Sequence, residues 1–410
     1  MSLLSIKDKI RLPPDWRIEP IGKVLLSSQY GTSNSSSETG VPVIGMKNLQ
    51  DGKVNFNDLP FVSLNEDEKA KLLLHSGDIL LNRTNSYDLV GKVGYVKKAC
   101  EAVFASYLVR LEVDKTKSDP KFVAMWLSSY WADMMIKKIA TRAVSQANVN
   151  PTEFKKFCLI PILPLPEQKN IADLLSTWDE AIEKIEQLTK AKKKRFKGLI
   201  SNLICSPVFK RGHIRDITKE VSVRNKWKKI SRVLSVTNHS GFVLPEEQFA
   251  RSVASSNLSN YKVVTHGEYA YNPSRINVGS IARLNNWNEG VLSPMYVVFS
   301  IDVSKTHSDF FLHWLSSHEA KQRIAKSAQG SVRETVSFSG LGSIPFPMPN
   351  LLQQKEIAET LSFAQQEIDL LKQLAEKYKT QKRGLMQKLL IGAWRVNEKS
   401  LTNTRRRNHD

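Results

Sequence analysis

A chain that carries the same long segment twice must find a fold that uses it twice. Leu165 to Ile204 returns without a gap, 186 positions later, as Leu351 to Leu390, and Gln168-Lys169, Ile171-Ala172, Leu175-Ser176, Ile182, Gln187-Leu188, Gly198-Leu199 and Leu203 come back as the same residues. Solenoid repeats have periods of roughly 20–50 residues. A period this long therefore means two copies of a whole domain plus its helix.

Each copy has the spacing of a helical seam. Ile171, Leu175, Trp178, Ile182 and Ile185, then Phe196, Leu199 and Leu203, step by four and three; the second copy follows with Ile357, Leu361, Ala364, Ile368, Leu371, Tyr378, Leu385 and Leu389. Both seams weaken in the middle, where Thr189, Lys192, Ala375 and Lys382 take seam positions. At 1.5 Å per residue such a helix is a rod of about 60 Å, too amphipathic to stand alone. The two rods are expected to pair, and to pair antiparallel, because the chain must leave the first, build a globular domain and return to start the second.

Proline clusters at Pro161, Pro164, Pro166 and at Pro345, Pro347, Pro349 precede the two helices and mark boundaries. The globular segments also echo each other. Gly77-Asp78-Ile79-Leu80-Leu81-Asn82 matches Gly267-Glu268-Tyr269-Ala270-Tyr271-Asn272 in alternating strand patterns, and Trp126-Leu127-Ser128-Ser129 matches Trp314-Leu315-Ser316-Ser317 in helical ones. Polar loops follow at Thr141 to Pro151 and at Ala328 to Ser339. The expected order is a globular domain over residues 1–163, a helix over 164–205, a second domain over 206–347, a helix over 348–395, and a basic, disordered tail over 396–410.

An apolar fraction of 41% is enough for two or more cores, while a formal charge of +20 asks for a polyanionic partner. Nucleic acid is the preferred one over an anionic membrane surface. No run of about 18 apolar residues could span a bilayer, and Lys7, Asp8 and Lys9 stand where a signal peptide needs an apolar block, so a cytoplasmic location is expected. Cys100, Cys158 and Cys205 have neither paired nor metal-site spacing and predict no disulfide framework.

In its motifs the chain resembles the specificity subunit of type I restriction–modification systems. The resemblance is carried by Leu12-Pro13-Pro14-Asp15-Trp16, by Val41-Pro42-Val43-Ile44 leading to Asn48-Leu49 and Gly52, by Gly77-Asp78-Ile79-Leu80, and above all by Pro164-Leu165-Pro166-Glu167-Gln168-Lys169 with Ile171-Ala172 and the helix behind them. The second helix departs from it, with Pro349-Asn350-Leu351-Leu352-Gln353-Gln354, and the start of the second domain near His213-Ile214-Arg215-Asp216 matches weakly. The resemblance implies an α+β chain of two similar target recognition domains, separated by two long antiparallel helices that form a coiled coil with pseudo-twofold symmetry. It implies that each domain reads one half of a bipartite double-stranded DNA target. The helices would set the spacer and dock two methyltransferase subunits. Restriction subunits with helicase and nuclease activity would join that core. S-adenosylmethionine, ATP and Mg would belong to the partner subunits, with no cofactor and no metal in this chain.

Reading sequence requires planar donors presented from polar segments: Arg to guanine, Asn or Gln to adenine. The candidates are Arg83, Asn85, Arg142, Gln146 and Asn148 in the first domain, and Arg275, Asn277, Gln329, Arg333 and Glu334 in the second. Between Lys190 and Arg232 fifteen Lys and Arg face only Asp216 and Glu220, a run that reads either as a solvated helix end with a basic linker or as a DNA-facing surface. The triplet Arg405-Arg406-Arg407 belongs to the tail. Trp126 and Trp314 recur inside helical patterns and read as core.

Catalytic motifs are missing. Asn272-Pro273-Ser274-Arg275 lacks the second proline and the aromatic residue of an adenine methyltransferase loop, no phosphate-binding Gly-x-x-x-x-Gly-Lys-Ser/Thr motif occurs, and His318-Glu319 has no second histidine at metal-site spacing. Two other readings remain: a coiled-coil assembly protein without sequence-specific DNA binding, and a degenerate stand-alone DNA methyltransferase.

Overall fold

The computed structural model describes residues 11–142, 144, 146–227, 229–248, 257–329 and 335–396. They form two compact units, one made of the chain up to Lys184 together with the part from Ala375 onwards, the other of Ile185–Leu374. The long helices, Leu165–Leu203 and Leu351–Leu390, are each divided between the two units.

In the first unit a six-stranded sheet has the order Leu25–Tyr30, Leu108–Val113, Ile79–Asn82, Val93–Tyr95, Gly52–Val54, Leu49–Gln50. Ile79–Asn82 is buried along its whole length because sheet neighbours flank it on both sides. A second sheet orders Val103–Phe104, Val41–Ile44, Phe61–Val62 and Ser36–Ser37. Arg17–Pro20 pairs antiparallel with Leu159–Ile162, the strand that leads into the first long helix. The helices Pro120–Leu127 and Tyr130–Ile139 pack into the same core, where Trp126 is fully buried and its indole N–H donates to the Leu159 carbonyl at 2.7 Å.

The second unit repeats this plan. Its central sheet runs Thr218–Val221, Val297–Ile301, Tyr269–Tyr271, Ile281–Arg283, the order of the first four strands of the six-stranded sheet. Arg211–His213 pairs antiparallel with Pro345–Pro347 ahead of the second long helix, so the weakly matching start near His213 has the same structural place as Arg17–Pro20. Helices Ser308–Ser316 and His318–Gln329 occupy the places of the earlier pair. Trp314 is buried here against Phe346, with ring centroids 5.1 Å apart. Among the described residues its indole nitrogen, unlike that of Trp126, has no hydrogen-bond partner. Both tryptophans are core residues.

Each unit contains a segment of both long helices, and in each the two segments run antiparallel. In the first, Ile171, Ala172 and Leu175 share a cluster with Leu389 and Leu390, Trp178 meets Tyr378 at 5.4 Å, and Lys382 bridges Asp179 at 2.6 Å. In the second, Ile200 and Ile204 cluster with Ala358 and Leu361, and Lys192 bridges Glu367 at 2.6 Å. The weak seam centres thus have a physical account. Thr189 and Ala375 are small enough to be buried, the Thr189 hydroxyl bonds back to the Ile185 carbonyl, and the two lysines reach carboxylates on the facing helix. Toward the end of the first helix Ile200 and Ile204 are the buried residues, whereas Phe196, Leu199 and Leu203 are half-buried.

A buried glutamine ties each helix to its domain. Gln168, fully buried, accepts hydrogen bonds from the Ser118 hydroxyl (2.7 Å) and the Asp119 N–H (2.9 Å) and donates to the Leu163 carbonyl (2.9 Å). Gln354, equally buried, accepts from the His307 N–H (2.9 Å) and donates to the carbonyls of Lys305 (3.2 Å) and Pro349 (2.9 Å). Both amides thereby satisfy backbone groups at the start of the first domain helix, groups that would otherwise be buried unpaired.

The first unit is closed by a clasp. Arg395 forms a bidentate pair with Asp15 (3.0 and 2.9 Å) and reaches Glu167 (2.6 Å), while the Trp16 indole donates to the same glutamate at 3.2 Å. The guanidinium beside it holds the Asp15 carboxyl below its ordinary range. Gly392, at φ +71°, lies so close to Pro13 that a Cβ would stand 2.4 Å from it. Cys100, Cys158 and Cys205 are free thiols; burial pushes all three up, Cys205 to about 11.

Candidate nucleic-acid interface

In the first unit the central strand ends at Asn82, in the second at Tyr271 with Asn272 next, and each releases the chain into a polar segment. In the first, Asn82 is followed by Arg83, and Thr84–Asn85 then forms one edge of a three-stranded antiparallel ribbon with Ala147–Asn148 in the middle and Thr141–Arg142 at the far edge. The polar segment expected to be a loop from Thr141 therefore contributes two short strands, Thr141–Arg142 and Ala147–Asn148. The Val149 N–H donates to the Arg83 carbonyl at 2.8 Å, and Val149 itself is buried, so the two candidate segments are fastened together. Gly91 makes the return possible. At φ +86° it bonds to the Asn82 carbonyl, and a Cβ there would lie 2.5 Å from Ile136.

All five first-domain candidates belong to this ribbon or flank it. Arg83 donates to the Asn148 side-chain oxygen at 3.2 Å and lies over the Tyr30 ring at 4.9 Å; the Thr84 hydroxyl approaches the same oxygen at 3.5 Å. Arg142, exposed, stacks over Tyr87 with 3.5 Å between the guanidinium carbon and the ring centroid. Asn85 accepts from the Ser86 N–H. Gln146 is exposed just before the middle strand. The sequence reading missed Tyr30 and Tyr87, whose role as platforms has no sequence signature.

In the second unit Asn272 begins a turn, its side chain accepting from the Ser274 N–H at 3.0 Å. Arg275 and Asn277 are exposed around the short helical turn Ile276–Val278, which the buried Ile276 anchors and Gly279 closes at φ +97°. The Val336 N–H donates to the Pro273 carbonyl at 3.1 Å, the counterpart of the Val149 contact. Gln329 lies at the end of the helix His318–Gln329 rather than in a loop. Arg333 and Glu334 lie outside the described residues, as does the triplet Arg405-Arg406-Arg407.

The basic run after Lys190 is in part internally committed. Lys192 pairs with Glu367, Arg211 with Glu319 at 2.7 Å, and Arg224 donates to the Asn260 carbonyl at 2.6 Å. Its loop is organised by Asn225, whose buried amide bonds both the N–H and the carbonyl of Ile230. Lys219, Lys226 and Lys229 remain exposed. Among the described residues no helix is long and apolar enough to cross a membrane.

Residues 17–193 and 260–379 match the profile of the type I restriction modification DNA specificity domain. The chain is 28% identical to a Methanocaldococcus jannaschii protein assigned as the MjaX type I restriction enzyme specificity subunit, over 94% of this chain and 95% of that one. In fold it is similar to a chain from a structure of type I R-M complex assembly and conformational transition (TM-score 0.58, 15% identity, 93% of this chain and 99% of that one). It is likewise similar to the type I restriction–modification S subunit of M. genitalium (TM-score 0.57, 16% identity, 92% and 96%). Two copies of one αβ plan, each presenting polar residues from the end of its central strand, agree with that profile: the chain belongs to the type I restriction–modification DNA specificity family, as a sequence-recognition subunit that is not itself an enzyme.

Proposed function

We propose that each unit reads one half of an asymmetric, split DNA target, through the ribbon that carries Arg83, Asn85, Arg142, Gln146 and Asn148 in the first and through the segments that carry Arg275, Asn277, Gln329, Arg333 and Glu334 in the second. One observation carries this reading: the two sheets have the same strand order and the same stitched pair of segments, yet the side chains those segments present differ. Twin scaffolds with unlike contacts suit a target with unlike halves. The paired helices dock two methyltransferase subunits, which bring S-adenosylmethionine; restriction subunits bring ATP- and Mg-dependent translocation and cleavage.

Selection from a random duplex library, with the chain co-expressed with its methyltransferase partner, is expected to enrich two short motifs at a fixed distance. No enriched split sequence would favour an assembly protein, and binding of S-adenosylmethionine by the isolated chain would favour a degenerate methyltransferase. Exchanging residues 206–347 for the corresponding domain of a relative should change one motif only. A change in both would show that the halves are not read independently.

Helix length enters the spacer in this reading. Removing one heptad from each helix, residues 186–192 and 367–373, shortens each by about 10 Å and should shorten the unread spacer by about 3 base pairs while both motifs persist. An unchanged spacer would count against the helices as its determinant.

A further inference from the structure

The ribbon of the first unit treats its candidate readers unequally. The side-chain oxygen of Asn148 already receives Arg83 and, at longer range, Thr84. An asparagine reads adenine by accepting from N6 and donating to N7 at once, and Asn148 has its acceptor engaged. Its geometry suits a different task, that of holding Arg83 against Tyr30.

Arg142 is in the opposite condition. It is exposed, and among the described residues no hydrogen bond or ion pair engages its guanidinium, which leaves every N–H free. It is nevertheless held in place. The Tyr87 ring beneath it packs against the main core of the unit, and its own strand is registered to Ala147, which is buried and paired in turn with Asn85. A guanidinium stacked on an aromatic face keeps its plane and presents its edge, and a planar fork of donors matches the O6 and N7 acceptors of guanine in the major groove. A phosphate contact needs no such platform, because a flexible charge serves it equally well.

We propose that Arg142, stacked on Tyr87, specifies a guanine in the half-site of the first unit, and that Asn148 is a positioning residue for Arg83. The proposal rests on the reading of that unit as a recognition domain, and the same library selection separates the two. Wild-type chain with its methyltransferase partner is expected to enrich a split motif; if it enriches none, the domain reading and this proposal fall together. With the wild-type motif in hand, Arg142→Ala and Arg142→Lys should each relax preference at one guanine by about tenfold or more, with the other positions unchanged. Tyr87→Leu, which keeps the charge and removes the platform, should relax the same position more weakly. An unchanged motif in Arg142→Ala, relaxation at a base other than guanine, or a uniform loss of affinity across all sequences with a shallower salt dependence would overturn the assignment to guanine and leave the split target standing. For Asn148, substitution by Asp keeps the oxygen that Arg83 uses and should preserve the motif, whereas Asn148→Ala should weaken it at the base that Arg83 addresses. Equal effects of the two substitutions would refute the positioning role.

Discussion

With Leu175, Ile182, Leu361 and Ile368 all changed to serine, the chain is expected to lose its helix pairing and with it the methyltransferase subunits. These four side chains are between 0% and 7% exposed, and truncating a buried leucine or isoleucine costs about 2–5 kcal/mol. The substituted hydroxyls would add a further cost, because the seam offers them few partners. The combined penalty reaches the whole stability of an ordinary domain, about 5–15 kcal/mol. Leu175 belongs to the core of the first unit and Leu361 to that of the second, so neither unit escapes. Gel filtration of the co-expressed complex and a thermal melt measure both effects; a complex that still co-elutes with an unshifted melt would show that the seam is dispensable.

Gln168→Leu and Gln354→Leu should each destabilise by about 2–4 kcal/mol, far more than a surface change of equal size. Leucine fits the volume and removes the amide, stranding the Asp119 N–H and Leu163 carbonyl in one case, the His307 N–H and the Lys305 and Pro349 carbonyls in the other. The first also strands the Ser118 hydroxyl. Urea unfolding monitored by tryptophan fluorescence reads the loss. Lys169→Ala, one residue away and exposed, serves as the control and should stay within about 0.5 kcal/mol. If Gln168→Leu and the control behave alike, the buried amide does not tie helix to domain.

The duplication makes the architecture legible in the sequence itself. Helix periodicity placed Leu175, Ile182, Leu361 and Ile368 correctly on a buried face because the 3.6-residue repeat is a local property. The same periodicity slipped by one at Leu199 and Leu203, where Ile200 and Ile204 are the buried pair; there the helix packs on the core of the second unit as well as on the other helix, and the buried face rotates. Gln168 and Gln354 were visible as repeats and silent as to purpose, since their partners lie about 50 residues away in sequence. In the recognition segments, residue type and order pointed to Arg83, Arg142 and Asn148. What type could not convey was pairing: that Asn148 spends its oxygen on Arg83, and that Tyr87 holds Arg142. Those relations depend on strand register between residues some 60 positions apart.

The core of the first unit includes Leu389 and Leu390, and Arg395 clasps Asp15 and Glu167. A ribosome finishes the rest of that core long before it makes these residues. Roughly 200 amino acids must be added in between, a delay of about 10–40 s at ordinary synthesis rates of 5–20 residues per second. During that interval the nascent first unit shows an uncovered apolar face to the cell, which makes it a natural client for chaperones and a target for proteases until the last turn of the second long helix emerges.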